Sequence, residues 1–525
     1  MKKVLLFDTT LRDGTQAEGI SLGIEDKINI AKALKKLGIH YIEGGWPGSN
    51  PKDAGFFKRM QKIALSPSKL AAFGSTRRKN IPASSDKNLI QLVKAKPDAF
   101  CIFGKTSLLH VKEALGTTPD ENINMIKDSV KYLKKTGKEV IYDAEHFFDG
   151  YKENKEYALL TLGAADAAGA DWLCLCDTNG GSMPCEITDI MKAVRARFPK
   201  SKFGIHAHND CDLAVANSLM AVEAGAEMVQ GTLNGWGERC GNANLASVMA
   251  NLVLKKGAGV KNITAKEIKK LTKVSRYIDE VANLIPKKEQ PFVGRSAFAH
   301  KGGVHVSAVM KNAATYEHLM PESVGNERRI LISDLSGQAN LKAKGKQLDI
   351  NLEDKENLNA VLKEIKLREA AGYQYEAANA SLKLLVQKIE GRAPSFFDVK
   401  SCRVILEYGL DGKKCEASVK LTVKGKTVYE AAEGDGPVNA LDNCLRKALL
   451  PFFPRVKDIS LTDFKVRVLN PAEATAAAVR VFIESTDGVD RWTTTGVSED
   501  VIDASWQALV ESIIYKLLKR QGRHK

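Results

Sequence analysis

"FDTTLRDGTQ" at residues 7–16 and "GIHAHND" at residues 204–210 are the two stretches that decide the fold. Each lies at the end of an apolar run that predicts a β-strand, and each carries polar side chains just where that run stops. Residues two apart on a strand project to the same face, so the imidazoles of His206 and His208 are placed to reach one ion together. Asp13 would supply a carboxylate to the same ion.

Working outward, short apolar runs recur at "KVLLFD", "HYIEGG", "KLAAFGS", "DAFCIFG", "EVIYDAE", "DWLCLCD", "KFGIHAH" and "EMVQGTL". The segments between them have helical spacing, as with Ile28, Ala31, Leu34 and Leu37, or Ala214, Leu219 and Val222. Eight βα units within residues 1–285 predict an α/β fold of the (β/α)8 TIM-barrel type. In such a barrel the chemistry sits where strands hand over to the following loops. The polar residues at those points are Asp8, Arg12, Asp13, Glu43, Ser75, Lys105, Asp143, Glu145, Asp177, Thr178, His206, His208 and Asn234, and they are expected to face the mouth.

Residues 286–395 change character, with a glycine-rich opening that predicts a linker followed by a helical subdomain. Residues 396–525 contain a repeat. "CRVILEY", "CEASVKLTV" and a third short strand lead into "GPVNALDNCLRKALL"; "FKVRVLN", "AAAVRVFIE" and a strand at Trp492 lead into "GVSEDVIDASWQALVESIIYKLL". Aligning Asp442 with Asp503, an offset of 61, predicts a C-terminal α+β regulatory domain of duplicated βββα units.

Charged residues at 27% and hydrophobic ones at 44% are ordinary globular values. The net charge of +15 is spread along helical segments rather than clustered among aromatics, which argues against nucleic acid and for a solvated basic surface, with steering of an anionic substrate as the alternative. Nine cysteines without a CxxC pair fit a reduced, cytoplasmic setting. The first apolar run is too short for a signal segment, and no run approaches membrane-spanning length, so no membrane partner is expected.

Closure of the barrel would bring strand eight beside strands one and seven, so that Asn242 in "NGWGERCGNANL" joins Asp13, His206 and His208. Two imidazoles with oxygen ligands and open positions suit Mg²⁺ or Mn²⁺, with Zn²⁺ an alternative, acting as Lewis acid on a substrate carbonyl.

"FDTTLRDGTQ", "CDTNGG", "HAHND", "GERCGNANL" and "AFAHKGGVHVSAV" with "YEHLMPESVG" resemble, in family order, the 2-isopropylmalate, homocitrate and citramalate synthases. The resemblance spans nearly the whole chain, and the tail is similar to that family's effector-binding domain. It implies a condensation in which acetyl-CoA loses a methyl proton and attacks the ketone of a 2-oxo acid, followed by thioester hydrolysis. It implies that Asp13, His206 and His208, with Asn242, hold the metal, that Arg12 bonds the keto oxygen, and that Thr178 holds the substrate carboxylate. Glu145 is the barrel's candidate base, with an orienting role as its alternative. By the same resemblance His305 and Tyr316, in the linker, reach a neighbouring subunit's site in a homodimer. Acetyl-CoA as co-substrate is implied by the resemblance alone.

For the acceptor, Phe103, Tyr142, Phe147 and Phe148 are expected to close the pocket around a methyl-sized group, which favours pyruvate. "DAEHFFDGYK" and "GGWPGSNPKD" are also more similar to the citramalate branch than to the isopropylmalate branch. The tail would then bind isoleucine near Gly434, Asp435, Gly436, Asn439 and Gly496, or serve dimerisation only. The alternatives are a 2-isopropylmalate synthase acting on 2-oxoisovalerate, an acyl-CoA lyase on the same barrel, and a non-enzymatic amino-acid sensor.

Overall fold

The computed structural model describes residues 3–257, 259–348, 354–409 and 412–519. They form two compact units, Met1–Phe298 with Leu319–Glu327, and Ala299–His318 with Arg328–Lys525.

The first unit is built on a closed parallel barrel of eight strands in sequence order. They are β1 (Leu5–Asp8), β2 (Tyr41–Glu43), β3 (Lys69–Ser75), β4 (Ala99–Lys105), β5 (Glu139–Glu145), β6 (Trp172–Asp177), β7 (Phe203–Ala207) and β8 (Met228–Gly231). Closure is made by β1 on β8, with Leu5 opposite Met228 and Asp8 opposite Gly231. Strand alternation divides the side chains between two layers. Phe7, Tyr41, Phe73, Cys101, Trp172 and Met228 fill the barrel. Their neighbours Leu6, Ile42, Ala72, Ile102, Leu173 and Val229 pack outward under the helices.

The helices follow the predicted spacing; Ile24–Lys36 buries Ile28, Ile30, Ala31 and Leu34. Lys27 on that helix is also buried. Its ammonium pairs with Asp53 and donates to the Gly44 carbonyl at 3.2 Å. The other Asp53 oxygen accepts from the Trp46 backbone N–H at 2.8 Å and from Asn50 Nδ2 at 3.1 Å. One buried ion pair thus ties the first helix to the loop after β2 and sets where Trp46 stands.

Several polar strand ends expected at the mouth serve structure instead. Asp8 accepts from Thr10 N at 2.9 Å and Leu233 N at 3.2 Å, which fastens the loops after β1 and β8 to one another. Asp177 accepts from Ser182 Oγ at 2.9 Å. Asn234, at φ 70°, turns its side chain to Ser275 and Asp279. Tight turns leave backbone N–H groups that a short carboxylate satisfies, and Asp8 and Asp177 are used that way, while Asn234 ties its loop to a neighbouring helix.

In the second unit β9 (Ala299–His300) and β10 (Arg329–Ile330) form a short parallel pair. Helices Lys355–Ala370 and Asn379–Ile389 pack through Leu358, Val361, Ile365, Leu382 and Val386. Beyond them β11 (Phe397–Gly409), β12 (Gly412–Val423) and β13 (Lys426–Glu433) form an antiparallel sheet followed by helix Pro437–Leu449. The strands β14 (Ser460–Val468), β15 (Val479–Thr486) and β16 (Arg491–Ser498) repeat that order, followed by helix Val501–Leu518. The duplicated βββα pattern is therefore present, and one apolar cluster containing Leu445, Leu449, Trp492, Trp506 and Ile513 includes residues of both copies. The constant offset of 61 does not hold: β12 ends at Val423 and β15 at Thr486, while the helices begin at Pro437 and Val501. The turns differ in length, with four residues between β15 and β16 against two between β12 and β13, so no single offset superposes every element. A Cβ on Gly434 would strike the Ala440 backbone, and one on Gly496 the Ala504 carbonyl oxygen. Close approach of the third strand to its helix accounts for both glycines. No helix among the described residues is long and apolar enough to cross a membrane.

Replacing Lys27 with Met leaves Asp53 buried without its partner. We expect a loss of about 3–5 kcal/mol, read as a lower urea midpoint for the tryptophan signal of the barrel. A midpoint within error of wild type contradicts the role given to this pair.

Candidate active site

Arg12 leaves β1 on a tight turn and reaches the strand end of β2. Its Nε donates to Glu43 Oε2 at 2.7 Å, an oxygen that also accepts from Thr9 Oγ1 at 2.8 Å. Its NH1 lies 3.4 Å from Asp13 Oδ2, and the guanidinium carbon sits 3.7 Å from the centroid of the Phe73 ring. Burial opposes the charge on Arg12, but Glu43 and Asp13 outweigh it and raise its pKa. The result is a fixed, dry cation at the barrel mouth.

Asp13, His206 and His208 converge beside it. His206 Nε2 is 3.3 Å from Asp13 Oδ2 and 3.4 Å from His208 Nε2. Asn242 Nδ2 lies 3.0 Å from both Asp13 Oδ2 and His206 Nε2. The returning loop that carries Asn242 is pinned to the end of β7: Ala243 N donates to Ala207 O at 2.9 Å, and Asn209 N to Gly241 O at 2.8 Å. Burial alone would raise the Asp13 carboxyl, yet Arg12 and the hydrogen bond to His206 hold it well below the usual carboxylate range. Burial lowers His208 to about 4, helped by the neighbouring His206. His206 goes the other way: burial opposes its charge, and Asp13 overrides that and raises it.

The donor set fits a divalent cation. One oxygen of Asp13 and one nitrogen of each histidine lie within 4.8 Å of one another, all three residues are buried, and Asn242 Oδ1 is a buried oxygen without a partner. Two imidazoles, a carboxylate and an amide match a hard to borderline ion with positions left open.

Arg12, Asp13, His206 and His208 line one side of a cavity of about 200 Å³. Trp46, Phe73 and Phe103 form the apolar wall, with the Phe73 and Phe103 rings stacked 5.4 Å apart and Trp46 edge-on to both. Thr178 lines the cavity as well. Its Oγ1 accepts from His146 N at 2.8 Å, which leaves the hydroxyl hydrogen free to donate. Arg239 holds this side, bonding Asp210 through Nε at 2.7 Å and the Thr178 carbonyl through NH2 at 2.7 Å. Glu145, at the end of β5, faces the cavity and is ion-paired with Lys105.

Tyr142 is not in the cavity. It is fully buried on the outward face of β5, under the helices, where a Cβ on Gly104 would meet its Oη at 2.9 Å. Period-two alternation explains the difference, since Asp143 and Glu145 take the inward positions. Phe147 and Phe148 are likewise buried in the outer layer. The bulk expected from these three comes instead from Trp46 and Phe73. Phe73 was accessible to the same alternation rule, being two residues before Ser75 on β3, and Trp46 to its place just beyond β2. Gln230, inward on β8, has no motif to mark it. His305 and Tyr316 belong to the second unit; both are exposed, and their rings stack with centroids 4.3 Å apart.

Residues 3–278 match the HMGL-like family, residues 292–372 the homocitrate synthase post-HMGL domain-like family, and residues 376–517 the LeuA allosteric (dimerisation) domain. An HMGL-like barrel followed by these two domains, together with the relatives that follow, marks the chain as an acyltransferase. The chain is 53% identical over 521 residues to the (R)-citramalate synthase of Aquifex aeolicus, covering 99% of this chain and 98% of that one. It is 53% identical over 524 residues to that of Geobacter sulfurreducens, covering 99% of each. Identity to the 2-isopropylmalate synthase of Lysinibacillus sphaericus is 31% over 531 residues, covering 100% of this chain and 99% of that one. The chain belongs to the (R)-citramalate synthase family.

An imidazole can ligate a metal only in its neutral form, and Asp13 makes His206 keep its proton to higher pH than usual. Mn²⁺ affinity, measured by calorimetry, is therefore expected to weaken as pH falls from about 8 to about 6, with protons released on binding. An affinity that does not change across that range contradicts ligation by His206.

Proposed function

We propose that the enzyme condenses acetyl-CoA with pyruvate and water to give (R)-citramalate and CoA. The observation that carries this is the small cavity in which a fixed guanidinium, a metal-ligand set and an aromatic wall meet, in a chain 53% identical to (R)-citramalate synthases. A Mg²⁺ or Mn²⁺ ion held by Asp13, His206, His208 and Asn242, with Zn²⁺ the alternative, supplies Lewis acidity toward the 2-oxo acid when bound.

The chain's own residues supply the rest. Arg12 points its remaining N–H groups at the keto oxygen, which becomes an alkoxide and then a hydroxyl as the new C–C bond forms; fixed positive charge helps most there. Thr178 donates its hydroxyl to the substrate carboxylate. Glu145 takes a proton from the acetyl methyl group, with Lys105 holding it in place. Water then cleaves the thioester, and the sulfur leaves as the CoA thiol. A neighbouring cavity shares Trp46 and Phe103 and is lined by Arg78, Lys79 and Lys105, a basic approach for CoA phosphates.

The acceptor is set by Trp46, Phe73 and Phe103, whose rings leave room for a methyl group. We assign His305 and Tyr316 to the site of a partner subunit in a homodimer, which the match to a dimerisation domain supports. Isoleucine is assigned as the effector of the tail, near Gly434, Asp435, Gly436, Asn439 and Gly496, and the setting as cytoplasmic, consistent with nine free thiols.

Release of CoA should be fastest with pyruvate when pyruvate, 2-oxobutyrate, 2-oxoisovalerate and 2-oxoglutarate are compared in parallel. Phe103→Ala is expected to shift kcat/KM toward 2-oxoisovalerate by about tenfold or more, the scale of one or two methylene groups in an apolar pocket. A wild-type enzyme that prefers 2-oxoisovalerate overturns the assignment. For the shared site, inactive Asp13→Ala and His305→Ala chains are mixed and allowed to exchange. Complementation should restore about one quarter of wild-type activity in a two-fold dimer; no recovery despite exchange contradicts a site completed by the partner.

A further inference from the structure

A buried line of hydrogen bonds runs from the metal ligands down into the barrel. Asn242 Nδ2 is 3.0 Å from His206 Nε2, and His206 Nδ1 is 2.9 Å from Gln230 Oε1. Gln230 Nε2 donates to Asp143 Oδ1 at 2.8 Å, and the Cys101 thiol donates to Asp143 Oδ2 at 3.2 Å. Four strands, β4, β5, β7 and β8, each contribute one of the residues His206, Gln230, Asp143 and Cys101, and all four are buried.

Every link points the same way. Both Asp143 oxygens accept, from Gln230 and from Cys101, and above about pH 6, to which burial raises it, this carboxylate has no hydrogen to give. Gln230 must therefore turn its NH2 toward Asp143 and its oxygen toward His206. An amide oxygen also only accepts, so the hydrogen of a neutral His206 ring must sit on Nδ1, which leaves the Nε2 lone pair facing Asp13, His208 and Asn242. We propose that Gln230 and Asp143 are positioning residues that fix the Nδ1–H tautomer of His206 and so keep Nε2 open for the metal.

Asp143 also lies within 4.8 Å of the thiols of Cys174 and Cys176, which could suggest a second metal site. Both its oxygens are already engaged, however, and burial pushes Cys176 up to about 11 and Cys174 well above its ordinary value. Neutral thiols around a bonded carboxylate make a terminus for the line, and they make a poor ligand set.

This inference rests on the assignment of His206 as a metal ligand, and two separate readouts keep the two claims apart. In the metal-free protein with ¹⁵N-labelled histidine, at about pH 9 where the ring is neutral, the signals of His206 identified by their loss in His206→Gln should show the Nδ1–H tautomer. Gln230→Met, close in shape but unable to bond either neighbour, should mix the tautomers and weaken Mn²⁺ binding by about 10–100-fold. The double variant Gln230→Glu with Asp143→Asn moves the carboxylate one link along, keeps an acceptor at Nδ1, and should restore both readouts. An Nδ1–H tautomer in a wild-type protein that binds no Mn²⁺ would leave the positioning role standing and remove the metal. An Nε2–H tautomer in wild type overturns the positioning role, as does a folded Gln230→Met with unchanged tautomer and Mn²⁺ affinity. Should Gln230→Met fail to fold, a folded double variant lacking the Nδ1–H signal overturns it equally.

Discussion

Closure of the sheet between β1 and β8 is the constraint on which the rest depends. Asp13 follows β1, His206 lies on β7 with His208 just beyond it, and Asn242 returns after β8, so these residues are remote in sequence and adjacent only because the barrel closes. The backbone shows how tightly that junction is held. Asp8 takes N–H groups from loops on both sides of the seam, and Gly231 leaves no room for a Cβ between β8 and the segment that carries Asn242. A side chain there would push against the Ala243 carbonyl and displace the loop from β7.

Once the seam is closed, electrostatics organises the mouth. Arg12 is sandwiched between a carboxylate pair and the face of Phe73, so its plane is fixed before substrate arrives. The same guanidinium keeps Asp13 ionised despite its burial, which a metal ligand requires. The aromatic wall limits the space opposite, and Lys27 with Asp53 sets the loop on which Trp46 rides. Charge, acceptor size and backbone are therefore coupled through a few contacts around β1, β2 and β3.

Much of this was legible in the sequence, because the signals were local. Period-two runs separated by helical spacing identify the barrel, the HxH word needs only strand geometry, and the repeated tail shows its strands and helices in order. The losses have a physical pattern too. Tyr142 is bulky and near a strand end, which points to the pocket, but one step of register turns it outward and leaves Asp143 inside. Asp8, Asp177 and Asn234 look like mouth residues and in fact satisfy loop N–H groups or bond a neighbouring helix. Gln230 could not be singled out: its importance lies in what it touches across the barrel, and glutamine on a strand carries no motif. The shift in the tail's repeat offset has a similar cause, since turn lengths vary without disturbing the pattern of apolar positions.

We propose that Asp13 and the two histidines hold one divalent ion at which the 2-oxo acid is bound. Pulsed electron paramagnetic resonance of the Mn²⁺-loaded enzyme tests it most directly. Nitrogen modulation from two imidazoles is expected, reduced to one in His208→Ala, with coupling to ¹³C-labelled pyruvate appearing when that substrate is added. A Mn²⁺ spectrum without imidazole nitrogen modulation, or one in which labelled pyruvate never couples to the ion, would contradict it.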